Sequence, residues 1–522
     1  MPSHHWAKNF TVTNDDLEYL SGILLEKETP LKIDILAREL VERRLQQEAD
    51  ALSKRFKDVR MYTPALSYAV GEKIMFPELD HALGTVNSVR PGANPNYGNF
   101  QVIQVSFDDD RLPTKEFATE FANHRLNDAS ENGYVLPGAN ELTADEIMTT
   151  SKAVIIHALE KALRADPELV SVAGRWFPRS LMLDVTSGGQ LHLAEAVLDV
   201  ADGGPMTTDE LIEQVGGLGK APHELQVFSM NYGLSQDDRF DEVGPVDTVL
   251  WFLRRLEPPE VLTTPTLLQY SPLDYDPALL SEETRQLITE IDDEWSDFGS
   301  DDEELEEAQI TINYPHRRSG TLPLNANMRA IFPTARRTPR VFVTLIDAQD
   351  GEEFFGWVVR QERYVYGLKE LFRKHRLPVG AILNISHAEE PGKIQIEFNA
   401  HKPRTEYVPL IAPKDGRLLF EYDRRSIGAE YDDLMVLGTD DLAAIDTFYQ
   451  ETQKARRSLN SILHNLVTEL SRTSPQGTVH AKTLYSATNV LRRLPPEPIF
   501  AALVSNPDFE HVGNNYWRLS RS

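Results

Sequence analysis

Residues 499–519 read IFAALVSNPDFEHVGNNYWRL: an apolar helical run, a polar Asn-Pro-Asp turn, an apolar strand, a Gly-Asn-Asn turn and a return strand carrying Trp517. The same order recurs at 158–177, ALEKALRADPELVSVAGRWF, and at 228–253, FSMNYGLSQDDRFDEVGPVDTVLWFL. Leu169, Phe240 and Phe509 lead the three strands, and Val172, Val243 and Val512 follow them. Gly174, Gly244 and Gly513 come next, and Trp176, Trp251 and Trp517 lie on the return. An internal repeat of this kind predicts a helix packed on a two-stranded ribbon. The glycines supply the tight turn or positive φ of the hairpin, and each tryptophan covers a helical bundle.

Helices precede each copy. Ahead of the second, MTTDELIEQVGG offers Thr207 as N-cap with Glu210 three residues on, a capping box. Ahead of the third, the apolar spacing predicts one long helix over 441–471, a second in TVHAKTLYSATNVLRRL, and a third in PPEPIFAALVSN that opens with proline. Helix, helix, helix, hairpin is the order of a winged helix-turn-helix. On Val479, Leu484, Tyr485, Ile499, Phe500, Leu503, Phe509, Val512, Gly513, Trp517 and Leu519, the C-terminal copy resembles the HARE-type helix-turn-helix. That module occurs in the delta subunit of bacterial RNA polymerase and in some chromatin and restriction proteins. The resemblance implies DNA or polymerase as partner. Its hairpin is often basic, whereas Gly513-Asn514-Asn515 is neutral here.

Working outward, 14–54 predicts two helices, the first capped by Asn14 or Asp15, broken at Thr29-Pro30, the second with the stripe Ile33, Leu36, Leu40 and Leu45. Residues 61–127 switch to period two with Gly/Pro/Asn turns, which predicts a small closed barrel. Gly84-Thr85-Val86 after a strand resembles the SH3-like barrels of the Tudor and KOW type. Residues 310–410 are β-rich with one helix at 367–376. Trp357, Tyr366, Gly367, Leu368, Phe372, Leu377 and Gly380 resemble the pseudobarrel DNA-binding domain of plant transcription factors, with a departure at Ala381. The expected fold class is therefore α+β and multidomain: winged helix-turn-helix units, a small SH3-like β-barrel and a β-rich pseudobarrel domain. The expected boundaries are 1–58 and 140–185 for the split first winged unit, 59–128 for the barrel and 186–262 for the second unit. An acidic linker at 263–308, the β-rich domain at 309–425 and the C-terminal unit at 436–522 complete them.

The 522 residues carry 81 Asp+Glu against 53 Lys+Arg, a net charge of −28, and no cysteine. Absence of cysteine excludes disulfides, zinc thiolates, iron–sulfur clusters and a thiol nucleophile. No apolar run approaches ~18 residues and the first ten residues lack a signal pattern, so a soluble, cytoplasmic protein is expected, with nucleoid association as the alternative. The charge is uneven. Asp274–Glu307 holds 15 acidic residues and one basic residue, while 308–522 holds 28 Lys+Arg and 24 Asp+Glu. So dense a run of like charge predicts a solvated spacer over 292–307, or a phosphate mimic that competes for basic surfaces.

The basic residues sit in the C-terminal half. Arg336, Arg337, Arg340, Arg360, Arg363, Lys369, Arg373, Lys374 and Arg376 cluster in the β-rich domain, and Lys482, Arg492 and Arg493 in the C-terminal unit. They are the expected phosphate contacts, because a locally basic face suffices for duplex DNA. Arg492 and Arg493 also end a helix, where cations meet its dipole. Catalytic motifs are missing: GGLGKA at 216–221 lacks the phosphate-loop spacing and reads as a helix end, and Asp347, Glu397 and Lys402 fit no nuclease spacing. No cofactor and no metal are expected. Two functions follow: a non-enzymatic DNA-binding, transcription-associated protein, or a scaffold for a basic partner such as RNA polymerase or another nucleic-acid enzyme.

Overall fold

The computed structural model describes residues 10–520 apart from 57–58, 80–81, 95–96, 110, 125, 128–142, 187–188, 247, 299–304, 336–337 and 391. The protein is α+β and multidomain. One compact unit comprises the chain to Leu183 with Ala221–Phe228, and the other comprises Asp184–Lys220 with Ser229–Ser522.

In the first unit, helices Asn14–Lys27, Ile33–Phe56 and Ala144–Ala165 bury Leu20, Leu24, Leu36, Leu40, Ile155, Leu159 and Leu163 together with Trp176. Thr13, rather than Asn14 or Asp15, caps the first helix: its hydroxyl accepts from Asp16 N while the Asp16 carboxylate accepts from Thr13 N. Strand Leu31–Lys32 pairs with Arg175–Pro178, setting Leu31 opposite Trp176, and the hairpin partner is Leu169–Val172. Between these halves lies a five-stranded sheet, Arg60–Met61, Lys73–Phe76, Ala82–Pro91, Gln101–Phe107 and Lys115–Thr119, parallel between the first two strands and antiparallel thereafter. It wraps Ile74, Phe76, Val86, Ile103 and Val105. Its ends meet where Tyr62 donates to the Ala118 carbonyl at 2.6 Å and Phe121 N to the Pro64 carbonyl at 2.8 Å, which makes the sheet nearly closed and barrel-like. Gly84 is required by clearance, since a Cβ there would stand 2.4 Å from Val105 Cγ1.

The second unit repeats the small sheet twice. Met206–Thr207 pairs with Leu250–Leu253, whose other neighbour is Phe240–Glu242, and Val479–His480 pairs with Tyr516–Leu519, whose other neighbour is Phe509–His511. Met206 faces Trp251 and Val479 faces Trp517, as Leu31 faces Trp176. The repeat read in the sequence is thus one sheet topology used three times. Its glycines differ in role: Gly513 has φ +96°, whereas Gly244 keeps negative φ and serves clearance, a Cβ there meeting the Thr248 carbonyl oxygen at 2.0 Å.

Seven strands form one mixed sheet in the order Glu307–Thr311, Ile382–His387, Lys393–Glu397, Arg340–Asp347, Glu353–Val359, Tyr364–Tyr366 and Thr321–Pro323, with only the third and fourth parallel. Beyond it, Ala400–Lys414 and Arg417–Ala429 make a long two-stranded ribbon whose tip residues Ile411, Leu418 and Phe420 join the C-terminal helices in one core. The helix expected over 441–471 is two helices, Leu442–Lys454 and Leu459–Thr473. Arg456 takes φ +47° between them, and Ser458 caps the second by accepting from Ser461 N at 3.3 Å.

The described part of the acidic stretch is no spacer. Helix Glu282–Ile291 buries Leu287, Ile288 and Ile291. Asp293 and Glu294 then sink among partners that match their charge. Arg493 reaches both Asp293 oxygens at 2.7 and 2.8 Å and Glu294 Oε1 at 2.6 Å, His316 Nε2 lies 2.9 Å from Glu294, and Tyr485 donates to Asp293 at 2.5 Å. Asn325 and Asn327 donate to Asp292 Oδ2 at 2.7 and 3.0 Å. Like charges that repel as a free segment are held here by a buried cation and amide donors from other elements. Residues 299–304 lie outside the described residues.

Candidate nucleic-acid interface

Internal partners hold most of the basic side chains that the sequence singles out. Arg336 and Arg337 lie outside the described residues. Arg340 pairs with Asp241 and lies 3.3 Å from Glu257, whose carboxyl burial pushes up to about 8. Arg360 donates to the carbonyls of Phe332 and Arg329 at 2.5 and 2.9 Å, and Arg363 to that of Glu294 at 2.7 Å, with its guanidinium over the Trp295 ring. Lys374 donates to Asp347, Asp350 and Glu352 at 2.5–2.9 Å, and these hydrogen bonds to three carboxylates raise its pKa. Lys482 is buried between Glu290 and Asp432, Arg373 pairs with Glu370 in solvent, and Arg493 belongs to the cluster above. Among the described residues, the side chains of Lys369, Arg376 and Arg492 hold no ion pair. Lys369 and Arg376 are exposed and Arg492 is half-buried. Capping does not occupy Arg492, whose side chain donates to no carbonyl of its helix.

The ribbon presents a different surface. Antiparallel register sets Thr405 opposite Ser426, Tyr407 opposite Arg424 and Pro409 opposite Tyr422, and successive rungs at this spacing share one face. Tyr407 is 61% and Tyr422 55% exposed. Arg424 Nε donates to the Tyr407 hydroxyl at 2.7 Å and its guanidinium lies 5.4 Å from that ring's centroid, so the pair is pre-positioned. No carboxylate stands on these three rungs of the face. The opposite face packs Val408 and Ile427 against Val436 and pairs Arg425 with Asp423 and Asp440, which fixes the ribbon's orientation. Arg404, opposite Ile427, is exposed on that second face. Chemically, the tyrosine face is a stacking and hydrogen-bonding surface with free positive charge. Its signal in the sequence is the alternation in RTEYVPLIAPKDGRLLFEYDRR, where tyrosine takes positions that core-facing strands give to aliphatic residues.

Asp347 is buried against Lys374 and His375, and no group of three or more His, Cys, Asp or Glu side chains that could hold a metal ion occurs among the described residues. Nor is any helix among them long and apolar enough to cross a membrane. Comparison with models of protein families, with curated proteins and with solved structures finds no match.

Proposed function

We propose that the chain is a non-enzymatic, transcription-associated DNA-binding protein, with its three helix-and-hairpin units acting as winged helices and the ribbon face as the principal contact. The single observation that carries this is the carboxylate-free face of Tyr407, Arg424 and Tyr422 on a two-stranded ribbon. A major groove about 12 Å wide admits such a ribbon, and aromatic and arginine side chains suit backbone and base contacts. Duplex binding by the full chain, measured by fluorescence anisotropy over a salt series, tests it. Arg424→Glu should weaken binding to all sequences alike and lower the salt slope by about 1, and Tyr407→Ala should weaken it without changing that slope. Unchanged affinity in the double variant refutes the ribbon as the contact.

The second reading is a scaffold for a basic protein such as RNA polymerase. What favours it is the internal pairing of Arg340, Lys374, Lys482 and Arg493, together with the 25 Lys+Arg against 57 Asp+Glu in residues 1–307. A full chain that binds no duplex near 50 mM salt, yet retains purified polymerase in a salt-sensitive way, decides for it.

A further inference from the structure

The break between helices Leu442–Lys454 and Leu459–Thr473 opens a cavity of about 390 Å³. Arg456, Arg457 and Arg492 line it, and none of the lining residues carries a carboxylate. None of these three arginines has an ion-pair partner among the described residues. Arg457 is steadied by donation to the Gly416 carbonyl at 2.9 Å and by the Phe448 ring, which leaves most of its donors for another acceptor. Gln453 donates to the Leu491 carbonyl at 2.8 Å, tying the break to the helix end that presents Arg492.

Two buried polar atoms of lining residues are orphaned. Thr452, 3% exposed, has no hydrogen-bond partner for its hydroxyl, and Arg493, 2% exposed, has none for Nε although its other nitrogens are fully engaged. Buried polar groups are ordinarily satisfied, and leaving one unmade costs roughly 1–3 kcal/mol. Three guanidiniums without an ion-pair partner around one space suit an anion with several acceptor oxygens. Arginine's planar fork matches phosphate, and the volume falls in the range of small-ligand sites, about 300–1,000 Å³.

We propose that this cavity binds the phosphate groups of a small molecule, a site separate from the ribbon face and independent of DNA binding. The source is either a free di- or polyphosphate or a nucleotide whose remainder reaches the polar wall formed by Gln269, Ser271 and Tyr449.

Isothermal titration of the full chain at constant ionic strength, with pyrophosphate and with ADP as probes, tests the proposal. Saturable 1:1 binding is expected. Arg456→Gln and Arg492→Gln should each weaken it about 10–100-fold, the loss of a hydrogen bond to a charged group. Arg457→Lys guards against a folding artefact: it keeps the charge and loses the planar fork, so the unliganded melting temperature holds while binding weakens roughly 5–10-fold. Arg373→Gln, on another surface, should bind as the wild type does. Tighter binding of ADP than of pyrophosphate supports a nucleotide site, and equal binding supports a phosphate site alone. Absence of saturable binding by either probe up to roughly 10 mM, or equal affinity in the Arg456, Arg457 and Arg492 variants and the wild type, overturns it.

Discussion

Replacing Arg493 by leucine isolates the energetics of the buried charge cluster. Its side chain is fully buried. Nη2 meets both Asp293 oxygens, Nη1 donates to Asn489 Oδ1 at 3.0 Å and to the Leu494 carbonyl at 2.9 Å, and Glu294 lies 2.6 Å away. Two carboxylates would be left buried without their common cation, so a loss of about 3–5 kcal/mol is expected. At ~2–4 °C per kcal/mol for domains of this order, the calorimetric transition containing the C-terminal core should fall by about 6–20 °C. The pH dependence has a definite sign. In the wild type, burial opposes the Glu294 charge, but Arg493 and His316 outweigh it and hold the carboxyl well below its ordinary 4.5. Its contribution is therefore present above that value and lost as pH falls. In Arg493→Leu the unpaired carboxylates are pushed up, so the penalty is largest near neutral pH and is relieved on acidification. The gap between variant and wild type should narrow from pH 7 to pH 5, and adding Asp293→Asn and Glu294→Gln should recover part of the loss. A gap below about 1 kcal/mol, or one independent of pH, refutes the assignment of a charge cluster to this site.

Two further expectations concern stability. Burial pushes the Glu497 carboxyl up to about 7 even though Ser296 and Asp297 N donate to it. A raised carboxyl stabilises the fold only while protonated, so its contribution is full below about 4.5 and disappears as pH rises through 7. Urea unfolding should show Glu497→Gln flattening this part of the profile by up to about 3 kcal/mol relative to the wild type. Gly244→Ala drives a Cβ against the Thr248 carbonyl oxygen and should cost about 1–3 kcal/mol, whereas Gly513→Ala meets open space and should cost only the left-handed strain, about 1 kcal/mol. Equal melting temperatures for these two variants would sink the distinction between clearance and conformation.

Local signals made much of the architecture legible. The Trp-bearing hairpins and the Thr207 capping box depend on residues a few positions apart, and the sequence displays them directly. The barrel follows from period-two alternation between glycine turns. What could not be read depends on partners distant in the chain. Asp293 looks like part of a solvated run until Arg493, 200 residues later, reaches it. Arg340 and Lys374 look like free cations until Asp241 and Asp347 claim them. The break at Arg456 has no proline or glycine to announce it. Only Ser458 as a cap marks it, and that signal is weak within an apolar periodicity that continues across the gap. The ribbon face depends on pairing: Tyr407 and Arg424 meet on it only because the register sets them opposite each other, 17 residues apart in the chain.

The split first unit bears on the order in which the chain acquires its shape. Arg175 reaches back across 145 residues to donate to the Pro30 carbonyl, so the first small sheet closes a very long loop. At translation rates of about 5–20 residues per second, residues 31–32 wait roughly 7–30 s for their partner strand to be made. The barrel inside that loop is complete earlier, and by bringing Pro64 to Phe121 it shortens the loop still to be closed. The saving is only about 0.4 kcal/mol, since closure entropy grows with the logarithm of length. The larger effect is kinetic: helix Asn14–Lys27 and its neighbour present Leu20, Leu24 and Leu36 to solvent until the hairpin arrives. That leaves the nascent chain open to aggregation and to chaperone capture over this interval.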